Sequence, residues 1–253
     1  MSVHRSFAVG RRQRGISLLV VMIVVLLSSL LALWAFRSAL VNEAIVGNDA
    51  DYQRAFEAAQ AMVQDAESDI RGERGDGTSC TGVAAADPNN AVAVDAAARI
   101  CRLGDGVKKF IEENKQLVGL LSELDAAATR CINAICQKRT GAQDFWSTDA
   151  ALAPMMAANV AARYGEYTGA LPPAGNTANL NPLLLARGDR RGAYYWVEVM
   201  PYDTGMGLLP GRAKLELNLN PNVVYRITAI AFGNKPNTMV VLQSTFVRQK
   251  IRN

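Results

Sequence analysis

From Ile16 to Phe36 the chain runs through 21 residues without a charge, and Arg5, Arg11, Arg12 and Arg14 stand just ahead of that run. Coiled into an α-helix at about 1.5 Å per residue, it reaches roughly 31 Å, the thickness of a bilayer's hydrocarbon core. Arginines on the N-terminal side hold that end in the cytoplasm, so everything after Arg37 falls on the exported side. A cleaved secretory signal has a shorter apolar region, about 7–15 residues, and ends at a small-residue cut site. A plain single-span anchor fits the same pattern.

Past the span the apolar positions take up a helical period. Tyr52, Phe56, Ala59, Val63, Ala66 and Ile70 alternate spacings of four and three and share one stripe, while Gln53, Arg54, Glu57, Gln60, Asp65 and Glu67 point elsewhere. Such a stripe ordinarily faces the core of its own domain, and a seam for partner helices is the sharper alternative. Gly72, Gly75 and Gly77 end the helix. Gly47 costs about 1 kcal/mol against alanine inside a helix, which predicts local bending there.

The next stretch is mixed. Residues 78–90 read as loop around Asp87-Pro88-Asn89-Asn90, and helical patterns follow at 91–103 and 107–124, split by Gly104-Asp105-Gly106, then at 148–164. From 165 to 192 glycine, proline and asparagine predict an irregular surface connection. After that the period changes to two. Residues 194–202, 214–220, 223–232 and 238–247 are β-branched or aromatic runs, which predict an antiparallel sheet of four strands, with Gly233-Asn234-Lys235-Pro236-Asn237 as the last hairpin loop. Helix first and sheet after is the α+β order.

Candidate chemistry is sparse. The single histidine, His4, lies ahead of the span, which leaves the exported part without the usual proton shuttle, the commonest zinc ligand, or a Ser-His-Asp or Cys-His arrangement. No other spacing selects a catalytic constellation, so the expectation is no enzyme, no cofactor and no metal. Gly75-Asp76-Gly77 and Gly104-Asp105-Gly106 lack the multi-ligand spacing of a calcium loop and read as turns. Arg187-Gly188-Asp189 spells an adhesion tripeptide, but three residues recur by chance and here mark an exposed loop.

Four cysteines, Cys80, Cys101, Cys131 and Cys136, all lie on the exported side, and none forms a Cys-x-x-Cys pair. An oxidising compartment favours two disulfides over a metal site. Of the three possible pairings we favour Cys80 with Cys101 and Cys131 with Cys136, because sequence neighbours meet easily. A continuous helix could not join the second pair, since its rise would hold the Cα atoms beyond the bridging limit of about 7 Å.

Taken together, the basic leader ending in Gly15, the apolar helix beginning at Ile16 and its amphipathic continuation resemble a type IV prepilin. Within that family the closest resemblance is to the PilX-type minor pilins, carried by residues 48–61 and by Tyr225-Arg226-Ile227-Thr228-Ala229 with Val240-Val241-Leu242-Gln243-Ser244-Thr245-Phe246. The resemblance implies a pilin-like α+β fold, in which a long N-terminal helix packs on a C-terminal antiparallel sheet, here with a helical middle region. It divides the chain into a prepilin leader at 1–15, a transmembrane half-helix at 16–36, an amphipathic half-helix at 37–71, a helical and loop insert at 72–192 and the sheet region at 193–253. Residues 72–192 carry no recognisable motif.

It further implies cleavage by a prepilin peptidase between Gly15 and Ile16, with methylation of the new N-terminus. Val20, Tyr52, Phe56 and Val63 would then pack against neighbouring helices in the filament. Pilins generally carry a glutamate at the fifth mature position, where its carboxylate meets a neighbour's N-terminal amine; here that position is Val20, as expected of a subunit at or beside the tip. The implied partners are other minor pilins, the major pilin, the peptidase, a tip adhesin and, before assembly, the inner membrane. The implied roles are initiation and tip structure of a pilus used in adhesion and twitching. The alternatives are a type II secretion tip pseudopilin resembling GspK and an unprocessed extracytoplasmic binding module. Nucleic acid is not among the partners: without residues 1–15 the chain loses four arginines and no acid, so its formal charge falls from +4 to zero.

Processing gives the first prediction. The intact mass of membrane-extracted protein should correspond to a methylated chain starting at Ile16, and Gly15→Val should leave it uncut. A wild-type chain that keeps its leader would overturn the prepilin reading.

Overall fold

A computed structural model of the chain describes residues 16–80, 99–170, 180–202, 219 and 221–248. They form two compact units, one ending at Ala50 and the other beginning at Asp51. Helix α1, Ile16–Arg71, contributes to both and is helical throughout, including at Gly47, where bending was expected. The glycine's propensity cost of about 1 kcal/mol is small within a helix of 56 residues.

In the first unit every side chain from Ser17 to Val46 is exposed, and one stretch reaches a mean hydropathy of 2.8. Two of its serine hydroxyls are satisfied within the helix. The Ser28 hydroxyl donates to the carbonyls of Val24 and Val25, and that of Ser29 to Val25, so neither needs water or a partner chain.

The second unit is built on a five-stranded sheet in the order β1 (Cys131–Ile132), β2 (Ile135–Cys136), β3 (Ala193–Pro201), β4 (Val223–Phe232) and β5 (Met239–Phe246). All neighbours are antiparallel except β2 and β3, which run parallel. Strands β3, β4 and β5 lie where the two-residue period put them, and Gly233 to Thr238 make the final turn. The β1–β2 hairpin was not anticipated: two residues per strand are too few to show a period, and the positive φ of Asn133 and Ala134 reverses the chain between them. The expected strand at 214–220 lies outside the described residues except for Leu219, which is buried.

Alternation along the strands gives the sheet two distinct faces. Tyr195, Val197 and Val199 of β3, Tyr225, Ile227, Ala229 and Ala231 of β4 and Val240 of β5 share one core with the second half of α1. Tyr194, Trp196, Ile230 and Phe232 point the other way and pack with Phe145, Leu152 and Met155 from the middle of the chain. Phe145 meets Trp196 edge-on at 4.9 Å, and the Trp196 indole donates to the Met155 carbonyl at 3.0 Å. The middle region is therefore a second cover for the sheet.

The helices of this region are shorter than predicted. Helix α2 is Leu117–Ala126 rather than 107–124, and Phe110 and Ile111 ahead of it are buried in the core shared with α1 without being helical. Glu113 and Gln116 then form a capping box that starts the helical region afresh. Helix α3, Asp149–Met155, is capped by Thr148 and ends one residue past Pro154, well short of Tyr164. A further single turn, α4 (Pro182–Leu185), is capped by Asn181. Of the helix expected at 91–103, residues 91–98 lie outside the described residues, and Ile100–Arg102 is a single 3-10 turn.

The amphipathic stripe of α1 faces the core in part. Tyr52 is 48% exposed, and Phe56 and Val63 are only half-buried. Ala59, Ala66 and Ile70 of the stripe are buried as expected, and a second buried line, through Asp51, Ala55, Ala58, Met62, Asp65 and Asp69, runs beside it, one position toward the N-terminus. Alanines rather than bulky residues occupy its centre, which lets helix and sheet approach closely, while the larger side chains flank the contact. Enlarging the centre should therefore be costly. Ala58→Leu should lower stability by about 1–3 kcal/mol in a denaturant titration, and Gln60→Ala on the exposed face should stay within about 0.5 kcal/mol.

Candidate functional site

Three carboxylates lie on the buried line of α1. Asp51, Asp65 and Asp69 are 2%, 4% and 5% exposed. Their spacings of fourteen and four residues are close to four turns and one turn, so all three meet the body of the domain. Each is answered by a different part of the chain.

Asp51 holds the β4–β5 turn. Its two oxygens accept from the backbone N–H groups of Asn234 at 2.8 Å and Lys235 at 3.0 Å. Burial pushes its pKa up, but those N–H donors more than offset it and leave the carboxyl below its ordinary value. Gly233 permits this approach, because a Cβ there would collide with the Asp51 carboxylate and with Thr238.

Asp69 forms a buried, two-pronged ion pair with Arg102. The guanidinium donates from Nε at 2.8 Å and from Nη2 at 2.6 Å, and the Tyr195 hydroxyl on β3 adds a third hydrogen bond at 2.7 Å. The remaining Arg102 nitrogen donates to the carbonyls of Lys108 and Asn133, and the guanidinium carbon sits 3.8 Å from the Tyr167 ring centroid and 4.7 Å from that of Phe110. Arginine's planar fork suits this arrangement in a way lysine's point charge would not.

Among the described residues Asp65 has no cation of its own. It accepts from the Thr168 hydroxyl and from the Gly165 N–H at 2.8 Å. Burial raises its pKa from 3.8 to about 7; the hydrogen bonds from Thr168 and Gly165 oppose the rise, and the charges of Asp69 and Glu166 add to it. The folded domain therefore binds this proton more tightly than the unfolded chain does.

Sequence reasoning placed Asp65 on the solvent side and gave Asp51, Asp69 and Arg102 no structural role. A detectable signal was present: acids at these spacings fall on the same line as Ala55, Ala58 and Met62. Of the residues singled out from sequence, Gly15 lies outside the described residues, Ile16 opens α1, and Val20 is 48% exposed in the first unit. The cysteines pair as Cys80 with Cys101 and Cys131 with Cys136, the second bridge joining residues directly opposite in the β1–β2 hairpin. Asp76 accepts from the backbone and hydroxyl of Thr78 and serves its turn. Arg187 of the adhesion-like tripeptide donates to the carbonyls of Leu184, Leu185 and Ala186, closing the end of α4.

Asp65 makes stability depend on pH with a definite sign. A carboxyl whose folded pKa is raised contributes stability fully below its unfolded value near 4, and that contribution is lost as pH rises through about 7. In denaturant titrations at pH 5 and pH 8, Asp65→Asn should reduce this fall relative to wild type. The amide can still accept from Gly165 and can donate to Thr168. An unchanged difference between the two pH values would show that Asp65 does not carry it.

Comparison with known protein families accounts for both ends of the chain. The family described as type IV pilus assembly protein PilX, C-terminal part, matches residues 127–248, from the disulfide hairpin through β5. The PilX N-terminal family matches residues 14–64, from the basic leader's last two residues into the buried line of α1. No curated protein and no solved structure shows a significant match. The two family matches take in well over half of the sequence, share one identity, and agree with an apolar N-terminal helix leading into an α+β domain: the chain belongs to the PilX family of type IV pilus minor pilins.

Proposed function

We propose that this minor pilin helps initiate a type IV pilus and occupies a position at or beside its tip. The observation that carries the tip position is Val20. A glutamate at the fifth mature position of an incoming pilin would be expensive to bury in hydrocarbon without the neighbour's amine to meet it, so it selects for a subunit already in place ahead of it. A subunit with valine there has no such requirement. It can stand first.

On this reading the leader is removed after Gly15, Ile16 is methylated, and the exposed apolar half of α1 holds the protein in the inner membrane until other minor pilins and the major pilin take over its contacts. The exported domain is then carried outward, where it is available to a tip adhesin and contributes to adhesion and twitching motility. Its role is structural rather than enzymatic. A second reading, a type II secretion tip pseudopilin resembling GspK, is favoured by the same Val20. The family matches weigh toward the pilus.

Position and copy number can be tested together. With a tag after Asn253, gold labelling should mark filament ends at a few copies each. Label spaced evenly along the shafts would overturn the tip position and leave family membership untouched.

A further inference from the structure

The Cys80–Cys101 bridge stands at both ends of the buried ion pair. On one side, Cys80 is tied to the end of α1 just beyond Asp69: its N–H donates to the Gly72 carbonyl at 2.9 Å, Glu73 donates to Ser68 at 2.9 Å, and Gly72 donates to Asp69 at 3.1 Å. On the other side, Cys101 directly precedes Arg102. Cys101 and Arg102 both hold positive φ, 60° and 55°, a conformation that residues with a side chain rarely adopt, let alone twice in succession. The Cys101 N–H donates to the Tyr167 carbonyl at 2.7 Å, on the residue whose ring lies under the Arg102 guanidinium. Backbone in this state persists only where its surroundings enforce it.

We propose that the Cys80–Cys101 disulfide is a positioning device for Arg102, and that docking of the second half of α1 on the sheet is conditional on its closure. Through the chain, Asp69 and Arg102 are 33 residues apart; through the bridge, Asp69 is joined to Arg102 by the short path from Gly72 to Cys80 and across to Cys101. Opening the bridge releases the strained pair of residues, and Arg102 leaves with them. Asp69 is then left against Tyr195 with no cation, close to Asp65, which already has none. A helix presenting two uncompensated carboxylates to an apolar sheet does not stay docked. The Cys131–Cys136 bridge has no such part: the hairpin it closes meets the pair only through the Asn133 carbonyl, which accepts from Arg102 at 3.0 Å, and it holds neither the end of α1 nor the backbone of Arg102. The inference concerns the fold of the exported domain and holds whatever its place in a filament.

The full chain in detergent micelles tests it. Phenylglyoxal, which modifies accessible guanidinium groups, should react with Arg102 at least about tenfold faster in C80S/C101S than in wild type or in C131S/C136S, as read by peptide mapping. Arg102 equally protected in a folded C80S/C101S protein would overturn the proposal. If that variant does not fold, the deciding protein is C80S/C101S combined with D69N/R102M, where the carboxylate no longer needs a cation. Recovery of cooperative unfolding supports the coupling, and failure to recover it rejects it. Where all the variants fold, loss of the bridge should lower the folded-to-unfolded ratio about tenfold more in the Asp69/Arg102 protein than in D69N/R102M. A disulfide acting only by restricting the unfolded chain gives equal losses in the two backgrounds.

Discussion

A helix that turns carboxylates toward a sheet can dock only where each finds an answering group, and that requirement organises the α+β unit that begins at Asp51. Removing one member of a buried ion pair costs about 3–5 kcal/mol, a large part of the 5–15 kcal/mol by which a domain is ordinarily stable. The Asp69–Arg102 pair therefore links α1 to a residue that lies far away in sequence, and Tyr195 extends the link to β3. Asp51 fastens the same helix to the β4–β5 turn, and Asp65 fastens it to the 165–168 segment. The alanines between them set the distance, and the acids select what stands opposite.

Seen from the sheet, the long middle region has a coherent physical purpose. One face of β3, β4 and β5 is covered by α1. The other carries Tyr194, Trp196, Ile230 and Phe232, which would be an exposed aromatic patch without Phe145, Leu152 and Met155. Among the described residues this part of the chain is made of short pieces: single turns, a small hairpin, the seven-residue α3 and the ten-residue α2. The same segment supplies Arg102 and the Lys108 and Asn133 carbonyls that satisfy it.

The two halves of α1 meet different surroundings with different chemistry. Up to Phe36 the helix offers apolar side chains, and Ser28 and Ser29 return their hydroxyls to its own carbonyls, as a lipid-facing or helix-facing segment must. From Asp51 onward it is selective, burying small residues and paired acids. A pilin needs both properties, since one half must exchange lipid for neighbouring helices while the other keeps a folded domain attached. Membership of the PilX family gives these properties a common setting.

What the sequence determined by itself was set by local, periodic physics: the length and polarity of the membrane-length helix, the α+β order, strands β3 to β5 with their last turn, and the glycine at which α1 stops. Each depends on residues within a few positions of one another. Tertiary structure alone decided the rest. The stripe through Ala59, Ala66 and Ile70 does face the core, but its large members Tyr52 and Phe56 stay at the edge, because close packing against the sheet takes the small Ala55 and Ala58 beside them. Asp65 looked like a solvent-facing acid because its partners, Thr168 and Gly165, lie about a hundred residues away. Arg102 gave no local sign of burial, since an arginine becomes a core residue only when a carboxylate, two carbonyls and two aromatic rings are brought around it by chain that is distant in sequence.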